Sequence, residues 1–318
     1  MTHDSFDIGA EVIAAFETEN NAKVTVLKAG DAGEALTKAI LSKDNPPADL
    51  LYGVDNTFLG RALNEGIFLP YKSPKLDKVR SEHRLDPSNH VMPVDFGYVT
   101  LNYDKAWMEA NKLQPPKSLE DLAKPEWRNR LVVQNSATSS PGLAFLLTTI
   151  AKFGESGSYT WKEYWRDLRA NGVMVTDGWE DAYYTAFSHS GKGDRPIVVS
   201  YATSPAAEVF YSEGKYKKPP TGNVVGPKAS FLQIEGIGIL KGTKKEALAK
   251  KFVDFVMERP FQEDFPTRMW VYPVNPEAAT PEVFWFAEVP EAPAVLDPKV
   301  IAQKREQWIG EWTRIVLQ

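Results

Sequence analysis

Three short apolar strands in the middle of the chain each run into a cluster of small or hydroxyl-bearing residues, and a helix follows each cluster. The strands are predicted over residues 131–134, 173–176 and 197–201, and the clusters over 135–140, 177–179 and 202–205. In open α/β sheets, ligands bind at the carboxyl ends of strands, where helix N-termini point free N–H groups at them. The sequence therefore predicts a ligand site at this edge of a sheet.

The residues at these turns suit a small ligand with a polar part and a flat or cationic part. Ser140 and Ser204 each precede a proline, which is the pattern of a helix N-cap followed by proline at the first helical position. Trp179 and Tyr201 add an aromatic ring at two of the three turns. We therefore predict a small-molecule cleft in which hydroxyl groups bind the polar part and rings contact the flat or cationic part.

Composition excludes several classes of protein. The chain has 318 residues, of which 43% are hydrophobic and 25% charged, as expected for a globular protein with two lobes. A net charge of −5 without a basic block argues against nucleic acid as a partner. The absence of cysteine excludes disulfides and thiolate nucleophiles. No apolar run reaches the ~18 residues of a membrane span, and the polar start is not a signal peptide, so we expect a cytoplasmic protein or a mature exported form.

Strands and helices alternate in the N-terminal third, which indicates a parallel or mixed sheet covered by helices. Strands are predicted over residues 23–27 and 49–54, with a helix over 33–42 between them. Near the C-terminus, a long helix is predicted from Pro298 to about Val316. The pattern indicates the α/β class.

Two extended segments, near residues 98–103 and 231–239, cross between the predicted lobes without a flexible linker. We predict a discontinuous first lobe formed by residues 1–98 and 236–318, and a second lobe formed by residues 104–229. Paired crossings of this kind suggest a hinge, with a cleft between the lobes that closes around a ligand.

Short runs in order along essentially the whole chain resemble periplasmic solute-binding proteins of ABC importers, in particular those that bind thiamine. The runs include residues 2–6, 93–98, 138–143, 200–205 and 270–274. The resemblance implies the type II periplasmic-binding-protein fold, with two lobes of mixed sheets covered by helices and a cleft between them. It also implies capture of thiamine or its phosphates, delivery to an ABC permease, a periplasmic location in a mature form without signal peptide, and no catalysis. We expect a monomer whose only small molecule is the transported ligand, without a cofactor.

The chemistry of thiamine, taken with the resemblance, assigns roles to several residues. Aromatic faces suit its permanent thiazolium cation at roughly 0.5–2 kcal/mol per contact, and Trp270, Tyr201 and Trp179 are the candidate walls. Asp31, at the position of an aspartate in the family, is the candidate acceptor for the aminopyrimidine amine; its alternative role is a helix N-cap.

Further candidates follow from the same comparison. Asp55, at a strand end, is a second acceptor, and His3 occupies a position where family members carry tyrosine. The helix N-terminus at Ser139, Ser140 and Gly142 is predicted to bind the hydroxyl or phosphate end, and Ser204 forms a similar candidate with its neighbour Thr203. Asp95 is predicted to be structural, bonding the backbone of the crossing segment beside it.

Other functions stay open on the sequence alone. The same fold could serve another ligand, such as ferric iron or a polyamine. An enzyme that cleaves thiamine is a further alternative, but such enzymes use a cysteine nucleophile, which this chain lacks. The four histidines are scattered, and we expect neither a metal site nor a catalytic residue.

Overall fold

A computed structural model describes all residues of the chain, 1–318, as an α/β protein with a mixed sheet. The strands are β1 (Leu50–Asp55), β2 (Phe68–Leu69), β3 (Val91–Asp104), β4 (Leu131–Gln134), β5 (Met174–Thr176), β6 (Ile197–Tyr201), β7 (Thr221–Val224), β8 (Phe231–Leu240) and β9 (Tyr272–Pro273).

The helices lie between and after these strands. They are α1 (Ala10–Asn20), α2 (Ala32–Leu41), α3 (Leu59–Asn64), α4 (Lys105–Ala110), α5 (Ser140–Phe153), α6 (Trp161–Ala170), α7 (Ser204–Phe210), α8 (Glu246–Val256), α9 (Arg259–Asp264), α10 (Pro266–Met269) and α11 (Pro298–Val316). Single helical turns cover Pro74–Lys78, Ser81–His83, Leu119–Ala123, Pro125–Trp127 and Glu282–Phe286, and a π-helical turn covers Asp181–Ala186. No helix combines the length and apolar character that a membrane span requires.

The chain folds into two compact units, each built from two separate stretches of sequence. The first unit consists of Met1–Gly97 and Gln233–Pro281, and the second of Tyr98–Leu232 and Glu282–Gln318. The division therefore falls inside β3, inside β8, and between Pro281 and Glu282.

The sheet of the first unit is antiparallel where β8 pairs with β1 and β2, and β9 pairs with the first part of β3. The β1–β8 register shifts between Tyr52 and Val54, where Gly53 has a φ of +99°. The core lies between this sheet and helices α8 and α9; Val94, Ile237, Val253 and Phe261 are buried there.

The sheet of the second unit has β6 at its centre. β6 runs antiparallel to the second part of β3 and parallel to β4, and β4 in turn runs parallel to β5. β7 pairs with the other edge of β3. Helix α5 is apolar on nearly all sides and its residues from Ser140 to Ile150 are buried, as expected for a helix inside a core.

The position of the C-terminal helix differs from the prediction. Its bounds, Pro298–Val316, agree with the sequence, but residues 282–318 belong to the second unit, so placing them in the first lobe was wrong. The reason is packing on α6: the rings of Trp312 and Trp165 meet edge to face with centroids 5.6 Å apart, and both are fully buried. Lys162 Nζ also lies 2.7 Å from Glu311 Oε2.

The strand predicted over residues 23–27 is not formed. Only Lys28 makes a strand-like bridge, to Thr2, and the residues before it pair with no strand although Val24, Val26 and Leu27 have strand-forming side chains. A strand needs a neighbouring strand to form hydrogen bonds with its backbone N–H and C=O groups, and residues 23–26 have no such neighbour in this structure.

Candidate functional site

The three turns singled out in the sequence lie at one edge of the sheet in the second unit. Because β5, β4 and β6 are parallel neighbours, their carboxyl ends meet at the same edge. The Nε2 group of Gln134, the last residue of β4, donates 2.8 Å to the carbonyl oxygen of Val199 in β6. The adjacent strand ends thus bring the turns that follow Gln134, Thr176 and Tyr201 together.

The N-terminus of α5 carries two buried hydroxyl groups that the protein leaves unused. Ser139 is the N-cap residue and Ser140 the first helical residue, so the predicted cap at Ser140 was off by one position. Neither Oγ atom has a hydrogen-bond partner, although Ser139 and Ser140 are 0% and 2% exposed. Buried hydroxyl groups normally have a hydrogen-bond partner, so two adjacent hydroxyl groups without one indicate a site for a polar ligand group.

Gly142 allows this helix end to approach the sheet closely. A Cβ atom at this position would lie 2.5 Å from the carbonyl oxygen of Gln134. The α5 N-terminus, with its free N–H groups and positive dipole end, is therefore held directly against the end of β4.

Two aromatic rings lie on the turns that follow the neighbouring strands β5 and β6, and they belong to a hydrogen-bonded group. The Trp179 ring is half-buried, stacks on Tyr183 with centroids 5.0 Å apart, and lies 6.4 Å from the Tyr201 ring. Its Nε1–H donates 2.8 Å to Ser200 Oγ, which lies 2.9 Å from Ser204 Oγ. Ser204 begins α7 and Thr203 is the N-cap, again one residue from the prediction. Three predicted residues, Trp179, Tyr201 and Ser204, are thus neighbours.

In the first unit, His3 belongs to a buried polar network rather than to an open surface. Its Nε2 lies 3.8 Å from Glu235 Oε2, and its ring packs against Tyr52 with centroids 5.5 Å apart. A Cβ at Gly53 would lie 2.7 Å from His3 Cδ2, so the ring requires glycine there. Burial alone would lower the pKa of His3, but the negative charge of Glu235 outweighs it and raises this pKa above 6.5.

The Tyr52 hydroxyl joins two carboxyl groups in the same network. Its oxygen lies 2.8 Å from Asp95 Oδ2 and 2.9 Å from Glu235 Oε2. The one phenol proton of Tyr52 is thus shared between two carboxyl acceptors. Burial, with the charge of Glu235, raises the pKa of Asp95 well above its ordinary value, whereas His3 and Tyr52 overcome the burial of Glu235 and lower its pKa. Tyr52 therefore bridges two buried carboxyl groups whose pKa values are shifted in opposite directions.

The sequence analysis did not predict that these residues form one group. Asp95 was predicted to bond hinge backbone, and that prediction was wrong because Tyr52 contacts Oδ2 while Oδ1 has no partner. Gln233 completes the group by donating 2.9 Å from Nε2 to Glu235 Oε1. The one sequence signal was the unusual presence of polar residues inside the apolar β8 run.

The two candidate aspartates of the first unit both make local backbone contacts. Asp31 is the N-cap of α2 and accepts 2.7 Å from the Ala32 N–H, with its side chain half-buried. Asp55 is fully buried, and its Oδ1 accepts from the Thr57 backbone at 2.8 Å and from the Thr57 hydroxyl at 2.6 Å. Capping is compatible with a second role at half-buried Asp31, whereas Oδ1 of Asp55 is taken up by the turn before α3.

Trp270 ends helix α10 in a left-handed backbone conformation, with φ 58° and ψ 41°. Its ring is half-buried. A left-handed conformation is unfavourable for a bulky residue and is concentrated at functional sites, so the backbone singles out Trp270 independently of its sequence motif.

Comparison with known proteins gives the same family along most of the chain. The family model described as bacterial extracellular solute-binding protein matches residues 45–291. The thiamine-binding periplasmic proteins of Salmonella typhimurium and Escherichia coli are 30% and 31% identical, each over 99% of this chain and 92% of the relative. The solved structure of a periplasmic thiamin binding protein superposes with a TM-score of 0.86 at 30% identity, over 99% of this chain and 94% of that one.

These similarities confirm the predicted α/β type II periplasmic-binding-protein fold and the periplasmic location. Solute-binding proteins bind a small molecule and work with an ABC permease, which fits the predicted class of ligand and partner. The family match and the curated relatives agree over most of the sequence, and the chain therefore belongs to the bacterial extracellular solute-binding proteins.

Proposed function

We propose that this protein captures thiamine or one of its phosphates outside the cytoplasmic membrane and delivers it to an ABC permease. The names of the most similar relatives support this ligand. The observation that carries the proposal is the pair of buried, unbonded hydroxyl groups at Ser139 and Ser140, with the Trp179 and Tyr201 rings on the neighbouring turns of the same sheet edge.

The two ends of thiamine suit this part of the second unit. The hydroxyethyl arm, or its phosphate, would receive hydrogen bonds from Ser139 Oγ, Ser140 Oγ and the N–H groups of the α5 N-terminus. The thiazolium ring carries a permanent positive charge, which cannot be neutralised by proton transfer. Trp179 and Tyr201 would face it, because aromatic faces attract cations.

Two further predicted ligand contacts, Asp31 and Trp270, stay part of the proposal. Asp31 would accept from the exocyclic amine of the pyrimidine, and Trp270 would provide another aromatic face. Asp55 and His3 are a turn acceptor and a buried member of the Glu235 network, so we propose that they support the site rather than touch the ligand.

We propose binding without chemistry. The curated relatives carry the names of binding proteins, and the chain has no cysteine to act as the thiolate nucleophile of a thiamine-cleaving reaction. In this proposal the protein acts as a monomer, needs no cofactor and binds no nucleic acid, and thiamine is its cargo.

Titration of tryptophan fluorescence tests the ligand. We expect saturable quenching by thiamine, thiamine monophosphate or thiamine diphosphate, and no response to spermidine or ferric citrate. Saturation by spermidine or ferric citrate in the absence of a thiamine response would overturn the proposal. Incubation with thiamine and an amine acceptor is the companion assay, and release of the free thiazole would show an enzyme.

Ser139→Ala and Ser140→Ala test the proposed ligand contacts at the N-terminus of α5. Neither hydroxyl is bonded within the protein, so removing it should leave the melting temperature unchanged or slightly raised. Affinity should fall by about 1–3 kcal/mol, the cost of losing a hydrogen bond to a buried polar group. Thr148→Ala is the matched control, since that buried hydroxyl donates 2.8 Å to Ala144 O within the same helix and should affect stability only.

A further inference from the structure

A carboxylate on helix α7 holds a second ring behind Trp179 in the second unit. Tyr183 covers one face of Trp179, with the two ring planes 18° apart and the centroids 5.0 Å apart, and Tyr183 is only 3% exposed. Its hydroxyl donates 2.8 Å to Glu208 Oε1. Glu208 follows Ser204 by four residues, so the two lie on the same face of α7. That face therefore bonds to Tyr183 directly and to Trp179 through Ser200.

Two further groups surround the Glu208 carboxylate. The Ser190 hydroxyl donates 2.5 Å to Oε1, and His189 Nε2 lies 3.2 Å from Oε2. The Glu208 side chain is 18% exposed, and no lysine or arginine forms an ion pair with it. Burial alone would raise the pKa of Glu208, but the hydrogen bonds from His189, Ser190 and Tyr183 outweigh burial and lower this pKa below its ordinary value. Glu208 is therefore ionised at neutral pH.

The negative charge stays on Glu208 and does not move to Tyr183. Burial, with the charge of Glu208, raises the pKa of Tyr183 well above its ordinary value, so the phenol keeps its proton. A buried charge acts on other charges more strongly than an exposed one, because water and salt screen it less. The ring pair is thus backed by one fixed negative charge.

We propose that Glu208 is a specificity-determining residue, which makes this part of the second unit prefer a cation to a neutral ring of the same shape. The proposal rests on the proposed function, since it takes Trp179 as a ligand contact. Tyr183 covers one face of Trp179, so the ligand contacts the other face. Glu208 does not touch the ligand and acts through its charge, which adds to the attraction between a cation and the ring faces. In thiamine, the thiazolium ring carries the positive charge.

A thiamine analogue with a neutral thiophene ring in place of the thiazolium separates charge from shape. The readout is the Kd of the analogue divided by the Kd of thiamine, from calorimetric titrations at about pH 8, where an ordinary histidine is neutral. The wild type should prefer thiamine. Glu208→Gln keeps the shape of the side chain without its charge, so the ratio should fall at least about threefold, through weaker binding of thiamine.

Glu155→Gln is the matched control. This carboxylate also belongs to the second unit and accepts 2.9 Å from an aromatic N–H group, but that group is Trp308 Nε1 in α11. The variant loses the same unit of charge, and its ratio should equal that of the wild type. A salt series on the wild type is a second readout. Because salt screens a buried charge weakly, the ratio should change by less than about twofold between about 0.05 and 0.5 M NaCl.

Equal ratios for the wild type and Glu208→Gln would overturn the proposal, because a purely structural role of Glu208 weakens both ligands alike. If Glu208→Gln does not fold, the salt series decides, and a larger fall of the wild-type ratio would assign the preference to exposed carboxylates and overturn the proposal. Thiamine binding with an unchanged ratio in Glu208→Gln would leave the proposed function standing. Absence of thiamine binding in the wild type would overturn the proposed function and this inference with it.

Discussion

The indole Nε1–H of Trp179 donates a 2.8 Å hydrogen bond to the hydroxyl oxygen of Ser200. Ser200 lies in β6, is fully buried, and also contacts Ser204 Oγ at 2.9 Å. The strand therefore fixes the plane of a half-buried ring whose residue lies just before the π-helical turn. This bond orients the ring that we propose contacts the ligand.

Replacing Ser200 by alanine should weaken thiamine binding by about 0.5–1.5 kcal/mol, the net value of one such hydrogen bond. Trp179→Phe keeps a ring but removes the donor, so the double variant should lose less than the sum of the single losses. Calorimetric titration of the four proteins measures this coupling. Strictly additive losses would show that the Trp179–Ser200 bond has no part in binding.

The effect of the Trp270 ring on ligand binding can be separated from the effect of its left-handed backbone on stability. Trp270→Ala and Trp270→Gly both remove the ring and should weaken thiamine binding equally, by about 1–3 kcal/mol. Glycine adopts the observed φ of 58° without strain, so the glycine variant should unfold at higher denaturant than the alanine variant, by about 1 kcal/mol. Unchanged affinity in both, with lowered stability, would assign the ring to the core.

The pH dependence of stability should report the His3–Glu235 pair. Because the folded pKa of His3 is raised above 6.5, its contribution is fully present below pH 6.5 and is lost as the pH rises through the folded pKa. The difference in unfolding free energy between the wild type and His3→Gln should therefore be larger at about pH 6 than at about pH 9.

His83 provides a control of opposite sign. Burial lowers the pKa of His83, whose ring stacks on Phe96 with centroids 3.9 Å apart. Its contribution is present above pH 6.5 and is lost as the pH falls through its folded pKa. Denaturant titrations of His3→Gln and His83→Gln across this range check the signs, and parallel pH profiles for the two variants would contradict the assigned shifts.

The C-terminal helix α11 should be essential for the stability of the second unit. Trp312→Ala removes a fully buried ring from its edge-to-face contact with Trp165 and should cost about 3–5 kcal/mol of unfolding free energy. Trp285, which is 85% exposed, is the control, and its replacement by alanine should change stability by less than about 0.5 kcal/mol. Equal losses for the two variants, by denaturant unfolding, would contradict the placement of α11.

Local sequence patterns predicted those helices and strands whose bounds depend only on residues within or next to the segment. The apolar runs that became β4 and β6 are followed by turn and capping residues, and Pro298 marks the start of α11. The pattern of α11 shows which of its faces is apolar but not which unit that face covers. Residues 23–27 have strand propensity, yet a strand also needs a partner, which a single segment cannot supply.

The site was predicted in part for the same reason. The proximity of Trp179, Tyr201 and Ser204 could be predicted because the turns that follow parallel strands lie at one edge of the sheet. The network around Tyr52 joins residues that are 43 and 183 positions apart in the chain. No local spacing signals such contacts, and the raised pKa of Asp95 arises from burial and from the nearby charge of Glu235.

The division of each unit between two stretches of sequence has a consequence for synthesis of the protein. The ribosome makes a chain from its N-terminus, yet the first unit lacks β9 until residue 273 has emerged, and the second lacks Trp312 until almost the last residue. Domains usually fold one after another as they are made. Here neither core is complete until nearly the whole polypeptide exists, so a nascent or truncated chain exposes apolar surface from both.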